Sequence, residues 1–374
     1  MEKLIFKKFH VDNFRNLSSI NMELSPKINC IIGQNAQGKT NLLESIYFLA
    51  QRKSFRKNSS YPHWFNLTKN GDKSPIYLMG LLENLDNLSY IPVSVKMEWT
   101  HQKPFLNWSL NNILQKTLKN IPKVACIFVD PVGPKEFFSI PSKRRDWFDD
   151  QFSQIDPFYS QQLKRFFQLL TMRNALLSDK TQTPTMIQTA LKSLDRLFLP
   201  CCFDVMRLRP LYLKKMENFL QIIFREIFHQ SHTIHLVLQS SWSYRTNLED
   251  QLNSQLMADK FAHKTTKGPH RDEFILMING HDASHFSSLG EQKCAFFSLV
   301  FSFVEYFHAE KHSYPIILLD DISGELDRQR WNQLVGYLEK GKFQSFITTA
   351  NVYFKDIFAK NSSNGVFEIF SGKC

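Results

Sequence analysis

The sequence predicts an α/β fold with an inserted, mainly helical second lobe, on three observations. A solidly apolar run, INCIIG (Ile28–Gly33), passes through a glycine loop into the helical TNLLESIYFLA. A second apolar run, YPIILLDD, ends in paired carboxylates, and between the two a helical period rules from about residue 141 to 230. Buried strand, loop and helix in succession open an α/β domain, because each strand needs a helix to cover its apolar face. The expected division is a discontinuous head, residues 1–140 and 231–374, interrupted by a helical lobe, residues 141–230.

The elements follow in order. Residues 1–24 read as two antiparallel strands around a turn, and residues 75–114 stay mostly strand-like. VACIFVD (Val124–Asp130) is another buried strand. In the lobe, Tyr159, Leu163, Phe166, Phe167 and Leu170 share one helical face, as do Leu213, Met216, Leu220, Ile223 and Ile227. Pro184, Pro200 and Pro210 are expected to break it into separate helices. Strand character returns at His232–Gln239, and a polar helix follows near Leu248–Phe261. DEFILMINGHDASHF then reads as a hairpin turning at Asn279–Gly280. An apolar helix after Lys293, the carboxylate strand, a helix from Arg328 to Leu338 and the strand SFITTAN complete the chain.

Composition narrows the class. The 374 residues are 43% hydrophobic and 22% charged, as in a folded soluble protein, and carry a net charge of +11. That excess favours an anionic partner, nucleic acid first and an acidic membrane surface second. The six cysteines show no metal-binding spacing and fit free thiols in a reducing cytoplasm. The charge-broken N-terminus is no signal peptide, and the apolar run Cys294–Phe307 contains Glu305, which suits a buried helix rather than a membrane span.

Two motifs carry chemistry. GQNAQGKT (Gly33, Gln34, Asn35, Ala36, Gln37, Gly38, Lys39, Thr40) satisfies G-x-x-x-x-G-K-[ST] between a buried strand and a helix. Its backbone N–H groups would close around phosphates, Lys39 would reach the outer phosphates, and the Thr40 hydroxyl would ligate Mg²⁺. Asp320 and Asp321 end the second apolar strand, where an NTPase holds its Mg²⁺ through a carboxylate (Asp320) and positions the attacking water (Asp321). Two solvated acids at a strand end are the plain alternative. FSSLGEQK (Phe286–Lys293) is a small-residue turn before an apolar helix. Such a turn caps a helix, or it holds a phosphate on the open N–H groups.

Ser288-Leu289-Gly290-Glu291 resembles the S-x-G-[QE] signature of ABC-type ATPases, with the glutamate of the SMC-like branch, and GELD (Gly324–Asp327) resembles their D-loop. The resemblance implies that Ser288, Gly290 and Glu291 bind the γ-phosphate of ATP held by a second copy. ATP would then join a head-to-tail homodimer, with Asp327 crossing between the paired sites. Gly33 and Ser288 stand about 250 residues apart, far more than in transporter ATPases, and there is neither a long coiled coil nor a CxxC hook. VDNFRNL (Val11–Leu17), KSFR (Lys53–Arg56), FVDPVGPKEFFSIPSKRRDWFD (Phe128–Asp149), RNALL (Arg173–Leu177) and GPHRDEF (Gly268–Phe274) resemble segments of the RecF family, the short-armed SMC-like ATPases. The chain is identified on these segments as similar to that family nearly end to end.

What the resemblance implies is an ABC/SMC-type P-loop ATPase head that dimerises on ATP, clamps DNA and releases it on slow, DNA-stimulated hydrolysis. It further implies gapped or junction DNA as partner, RecO/RecR-type loading proteins, the RecA recombinase, and a part in replication, recombinational repair and the SOS response. The chain departs from the pattern at Glu291, where the family usually has Gln. Asp321 replaces the Glu of most ABC ATPases, and Thr348 and Thr349 stand where many keep a switch histidine. Alternatives are a membrane-transporter ATPase subunit and a scaffold that binds ATP without turnover. DNA-contact candidates are Arg52, Lys53, Arg56 and Lys57, and Lys143, Arg144 and Arg145, although pairing with Asp149 or Asp150 would equally explain the last two. His270 and Arg271 could meet nucleotide or DNA, or simply form a turn.

Overall fold

The computed structural model describes residues 2–56, 61–65, 74–100, 103–181, 183–228, 232–324, 326–351 and 353–374. It has two compact units, Met1–Gly133 with Phe307–Cys374, and Pro134–Tyr306.

The first unit holds two sheets. One is antiparallel, with strands in the order Ser19–Glu23, Leu4–Asp12, Ile76–Asn84, Ser89–Thr100, Lys103–Leu110 and Ile113–Leu114. Burial alternates residue by residue along Ile76–Asn84, as in a strand with one face on the core. The other is parallel, in the order Gly365–Glu368, Ile28–Ile32, Ser345–Thr349, Ile316–Leu319 and Cys126–Val129. Its central strands are buried throughout, which is why they read as unbroken apolar runs. Helix Lys39–Gln51 touches strands of both sheets and joins them through one core that includes Phe6, Phe48, Trp64, Leu78, Leu318 and Phe346. The strand Ser345–Thr349 lies between the strand entering the glycine loop and the strand ending in the carboxylates, so all three deliver their carboxyl ends to one edge.

The second unit contains helices Pro141–Ile155, Pro157–Ser178, Pro184–Phe228 and Leu248–Ala262, with a small sheet of Ile234–Gln239, Glu273–Ile278 and His281–Asp282. Asn279 and Gly280 both take positive φ (50° and 79°), the two-residue hairpin turn that their sequence requires. Pro200 and Pro210 do not break the lobe: both sit inside the single 45-residue helix Pro184–Phe228, and only Pro184 marks an end, at its start. An interior proline costs about 3 kcal/mol. Here the apolar face carries straight through, burying Phe198, Cys202, Val205, Met206, Leu213 and Met216, and its burial outweighs that penalty. Residues 231–306, which the sequence pattern assigns to the head, cluster with this unit instead. Ile234–Gln239 packs on the long helix, and Phe148 stacks on Phe274 at 4.4 Å.

Buried charge organises the same unit. Arg209, fully buried, donates to Asp149 Oδ2 at 2.7 Å, Asp272 Oδ2 at 2.8 Å and the Pro269 carbonyl at 2.6 Å. Arg173, also fully buried, donates to Asp259 at 2.7 Å, Thr265 at 2.8 Å and Asp195 at 3.0 Å. Two family-like segments, RNALL and GPHRDEF, thus contribute scaffold.

Candidate nucleotide site

The site begins where the strand Ile28–Ile32 ends. Gly33 donates its N–H to the Thr349 carbonyl at 3.2 Å, and a Cβ there would lie 2.5 Å from the Ile369 carbonyl oxygen, so the loop opens on glycine by necessity. Ala36 and Gly38 both take positive φ (65° and 111°), which curls successive N–H groups toward a common centre. At Gly38 a side chain would also run into Leu17. No side chain caps helix Lys39–Gln51, leaving its first N–H groups facing the loop. Asn16 braces the rim, donating to the Ala36 carbonyl at 3.2 Å and accepting from Asn41 at 2.7 Å.

Lys39 Nζ lies across the loop, donating to the carbonyls of Gly33 (2.7 Å) and Gln34 (3.0 Å). Burial pushes its pKa down, while Asp321 and Asp320 pull it back up. Thr40 Oγ1 donates to Asp320 Oδ2 at 2.7 Å, closing the P-loop onto the carboxylate strand. Asp320 Oδ1 accepts from Thr348 Oγ1 at 2.6 Å, and Thr348 Oγ1 in turn accepts the Asp321 N–H at 2.9 Å. Asp321 takes a left-handed φ of 45°. A cleft of about 350 Å³ lies over these groups, lined by Asn35, Lys39, Thr40, Arg56, Asp320 and Asp321 among others.

An open nest of N–H groups, a buried ammonium and a hydroxyl paired with a carboxylate fit a polyphosphate with its Mg²⁺. Among the described residues no three His, Cys, Asp or Glu side chains converge as an all-protein metal site.

Not every P-loop residue faces this cleft. Gln37 turns toward the C-terminal segment, accepting from the Ser371 N–H at 2.6 Å. The sequence marks Thr348 only as standing where many ABC ATPases keep a switch histidine and assigns no role to Asn16 or Asn41, since a threonine or asparagine near a strand or loop end carries no motif. Their signal was positional: Thr348 lies near the carboxyl end of a strand, Ser345–Thr349, that neighbours the carboxylate strand.

The signature segment belongs to the second unit. There Ser288 and Glu291 form a reciprocal cap. The Ser288 N–H and Oγ each donate to Glu291 Oε2 at 2.8 Å, and the Glu291 N–H donates to Ser288 Oγ at 3.3 Å. The helix therefore starts at Leu289, earlier than the apolar pattern after Lys293 suggests. Phe286 and Leu289 flank this cap and are largely exposed. In the first unit Asp327 caps helix Arg328–Lys340, accepting from the Arg330 N–H at 2.9 Å.

The basic candidates fare unevenly. Arg144 is buried and donates to the carbonyls of Phe137 and Phe138 at 3.0 and 2.9 Å and to Glu273 at 3.0 Å, so it has no fork to offer a DNA phosphate. Arg145 donates to the Asp272 carbonyl at 3.0 Å, and Lys143 pairs with Glu136. Asp149 engages Arg209 rather than either of these arginines. Arg52 donates to the Ile121 carbonyl. Arg56 pairs with the buried Glu44 at 3.2 Å, which Arg15 also holds at 2.7 Å, and it lines the nucleotide cleft. Charge is visible in a sequence but its partner is not, and these arginines found partners within the fold. Lys53 is exposed, and so is Arg271. Lys57 lies outside the described residues. His270 donates Nε2–H to the Thr265 carbonyl at 3.0 Å, and burial pushes its pKa down to about 4.

Comparison with known proteins now adds to this geometry. A family model described as an AAA ATPase domain matches residues 5–185. The DNA replication and repair protein RecF of Natranaerobius thermophilus is 30% identical, the alignment covering 96% of this chain and 95% of that protein. The solved structure of the recombination mediator protein RecF-ATP in the RecFOR pathway is 27% identical with a TM-score of 0.79, covering 99% of this chain and 97% of that one. An Smc head domain from Pyrococcus furiosus shares the fold at 13% identity and a TM-score of 0.54, over 94% of this chain and 91% of that one. These relatives do not favour a transporter subunit, and no helix among the described residues is long and apolar enough to cross a membrane. A glycine loop tied to its carboxylate strand, on an SMC-head fold and with a RecF aligned along nearly its full length, shows that the chain belongs to the RecF family of ATPases.

Proposed function

We propose that this protein is an ATP-driven DNA clamp of replication-linked recombinational repair, dimerising on ATP and releasing DNA when ATP is slowly hydrolysed. The observation that carries the reading is the Thr40–Asp320 hydrogen bond beneath a left-handed glycine loop, which brings together groups that would hold phosphate and metal. The N–H groups of the loop, Gln34 to Thr40, would take the phosphates. Lys39 would exchange two neutral carbonyls for anionic phosphate oxygens, charge-assisted bonds worth about 1.5–3 kcal/mol each. Mg²⁺, when bound by Thr40 and through water by Asp320, would offset the negative charge of the phosphates. Asp321 would orient the attacking water and accept its proton. Its side chain is one methylene shorter than the glutamate of most ABC ATPases, which suits slow turnover.

Ser288, Gly290 and Glu291 would meet the γ-phosphate of the second copy's ATP, with Asp327 as the crossing residue. For that, Ser288 must release its hydroxyl from Glu291, and the Glu291 carboxylate must leave the phosphate's path. The exposed Phe286 and Leu289 beside the cap suit a face that is covered on dimerisation. DNA contact rests on the net charge of +11 and on family membership. Lys53 and Arg271 are the exposed candidates, and the expected binding is phosphate-dominated and salt-sensitive. Gapped or junction DNA, RecO/RecR-type loaders and RecA are the partners that family membership suggests.

ATP turnover per protomer over a protein dilution series, with and without gapped DNA, tests the reading. Specific activity should rise with protein concentration and again with DNA. Turnover flat in both would mean a self-contained site and no clamp. Ser288→Arg should keep ATP binding and lose ATP-dependent association. Bound ATP with no turnover, indifferent to Asp321→Asn, would make the protein a scaffold.

A further inference from the structure

The hydroxyl of Thr348 bonds both members of the carboxylate pair. It donates to Asp320 Oδ1 at 2.6 Å and accepts the Asp321 N–H at 2.9 Å, and the residue is fully buried. A hydroxyl has one proton and two lone pairs, so it alone among small side chains can do both at once. The two bonds act on different degrees of freedom. The first sets the rotation of the Asp320 carboxylate, so that Oδ2 is the oxygen that meets Thr40 at 2.7 Å. The second holds the peptide N–H of Asp321, whose φ of 45° lies in the left-handed region, open to aspartate more than to most non-glycine residues and still costly. Strain of this sort persists only where the surroundings over-determine it.

The sheet supplies the reason for the position. Ser345–Thr349 lies between the strand that enters the P-loop and the strand that ends in the carboxylates. Thr348 pairs with Ile31 on one side, and its neighbour Ile347 pairs with Leu319, the residue before Asp320, on the other. A residue here is the natural link between the phosphate loop and the acids. Thr348 stands where many ABC ATPases keep a switch histidine, and its hydroxyl is engaged with the two acids.

We infer that Thr348 is a positioning residue for ATP hydrolysis, orienting Asp320 toward the metal and holding Asp321 in its strained conformation over the cleft. The inference rests on the hydrolytic reading above. Thr348→Val is isosteric and removes both hydrogen bonds, and Thr348→Ser keeps them.

The test measures turnover against ATP and against Mg²⁺ for wild type and both variants, alongside titration with a fluorescent ATP analogue in EDTA and thermal unfolding. Loss of a hydrogen bond to a charged group should lower kcat in Thr348→Val by roughly 10- to 100-fold. Metal-free nucleotide affinity should stay within about twofold, because uniform binding is untouched. The Mg²⁺ concentration for half-maximal turnover should rise, and Thr348→Ser should restore both kcat and Mg²⁺ dependence. Wild-type kcat and Mg²⁺ dependence in Thr348→Val overturns the inference. So does a parallel loss of metal-free affinity that serine does not rescue, which would mark a purely structural role. A wild type that binds ATP but never turns it over is distinct: it removes the hydrolytic reading and this inference with it. If Thr348→Val fails to fold, Thr348→Ala is compared with Thr348→Ser by the same criteria.

Discussion

At the scale of single residues, Lys39 decides whether phosphate is held at all. Its ammonium rests on two carbonyls of its own loop, beside the N–H groups that would take phosphate. Lys39→Ala should therefore lose ATP binding by more than about tenfold, one lost charge-assisted bond, while the apolar core holds the fold. Isothermal titration with ATP–Mg²⁺ and a thermal melt separate the two. That role was legible in the sequence because glycine, lysine and threonine at fixed spacing after an apolar strand have few other uses. Thr348 was not legible: nothing in SFITTAN says which strand will lie beside it, and its importance comes from Asp320 on a neighbouring strand.

At the scale of elements, the turn FSSLGEQK proved to be a helix cap in this conformation. Ser288 and Glu291 satisfy each other's donors, and breaking such a box costs about 0.5–2 kcal/mol. Glu291→Ala should lower the unfolding free energy by that amount, read by circular dichroism as a lower denaturant midpoint at unchanged slope. Glu291→Gln keeps an acceptor for the Ser288 N–H and removes a negative charge from the place assigned to a second copy's phosphate. It should strengthen ATP-dependent association several-fold, as sedimentation velocity would report; unchanged association would remove Glu291 from the interface. The long helix Pro184–Phe228 shows the opposite limit of local reasoning. Two internal prolines predict breaks, and a continuous buried face overrides them.

At the scale of the whole molecule, buried ion networks set stability. Arg209 neutralises Asp149 and Asp272, and the attraction of these acids keeps its own pKa well above normal despite burial. Arg209→Met would leave both acids unpaired in the core and should destabilise the protein by about 3–5 kcal/mol, against about 0–1 kcal/mol for Lys143→Met at its partly exposed pair. Chemical denaturation of both variants checks the contrast. His270 adds a pH dependence. Its Nε2–H is fixed on the Thr265 carbonyl and its Nδ1 is buried, so charging the ring in the folded state is unfavourable and its pKa falls from 6.5 to about 4. A group depressed on folding contributes stability that is fully present above its unfolded pKa. That contribution is lost as pH falls from 6.5 through about 4. His270→Gln should flatten the decline in that window, and an unchanged profile would show that other groups govern it.

The sequence by itself determined the α/β class, the glycine loop, the carboxylate pair and the family, because each is written in residues adjacent along the chain. Apolar runs, φ-permissive glycines and fixed motif spacing need no partner to be read. Only the tertiary structure decided which charges are surface and which are scaffold, where the long helix continues, and which threonine holds the acids. Those depend on the free energy of burial and on hydrogen bonds between residues far apart in sequence. Arg144 and Lys53 are both basic residues inside family-like segments. One is buried against carbonyls and Glu273 while the other is exposed, and packing alone separates them.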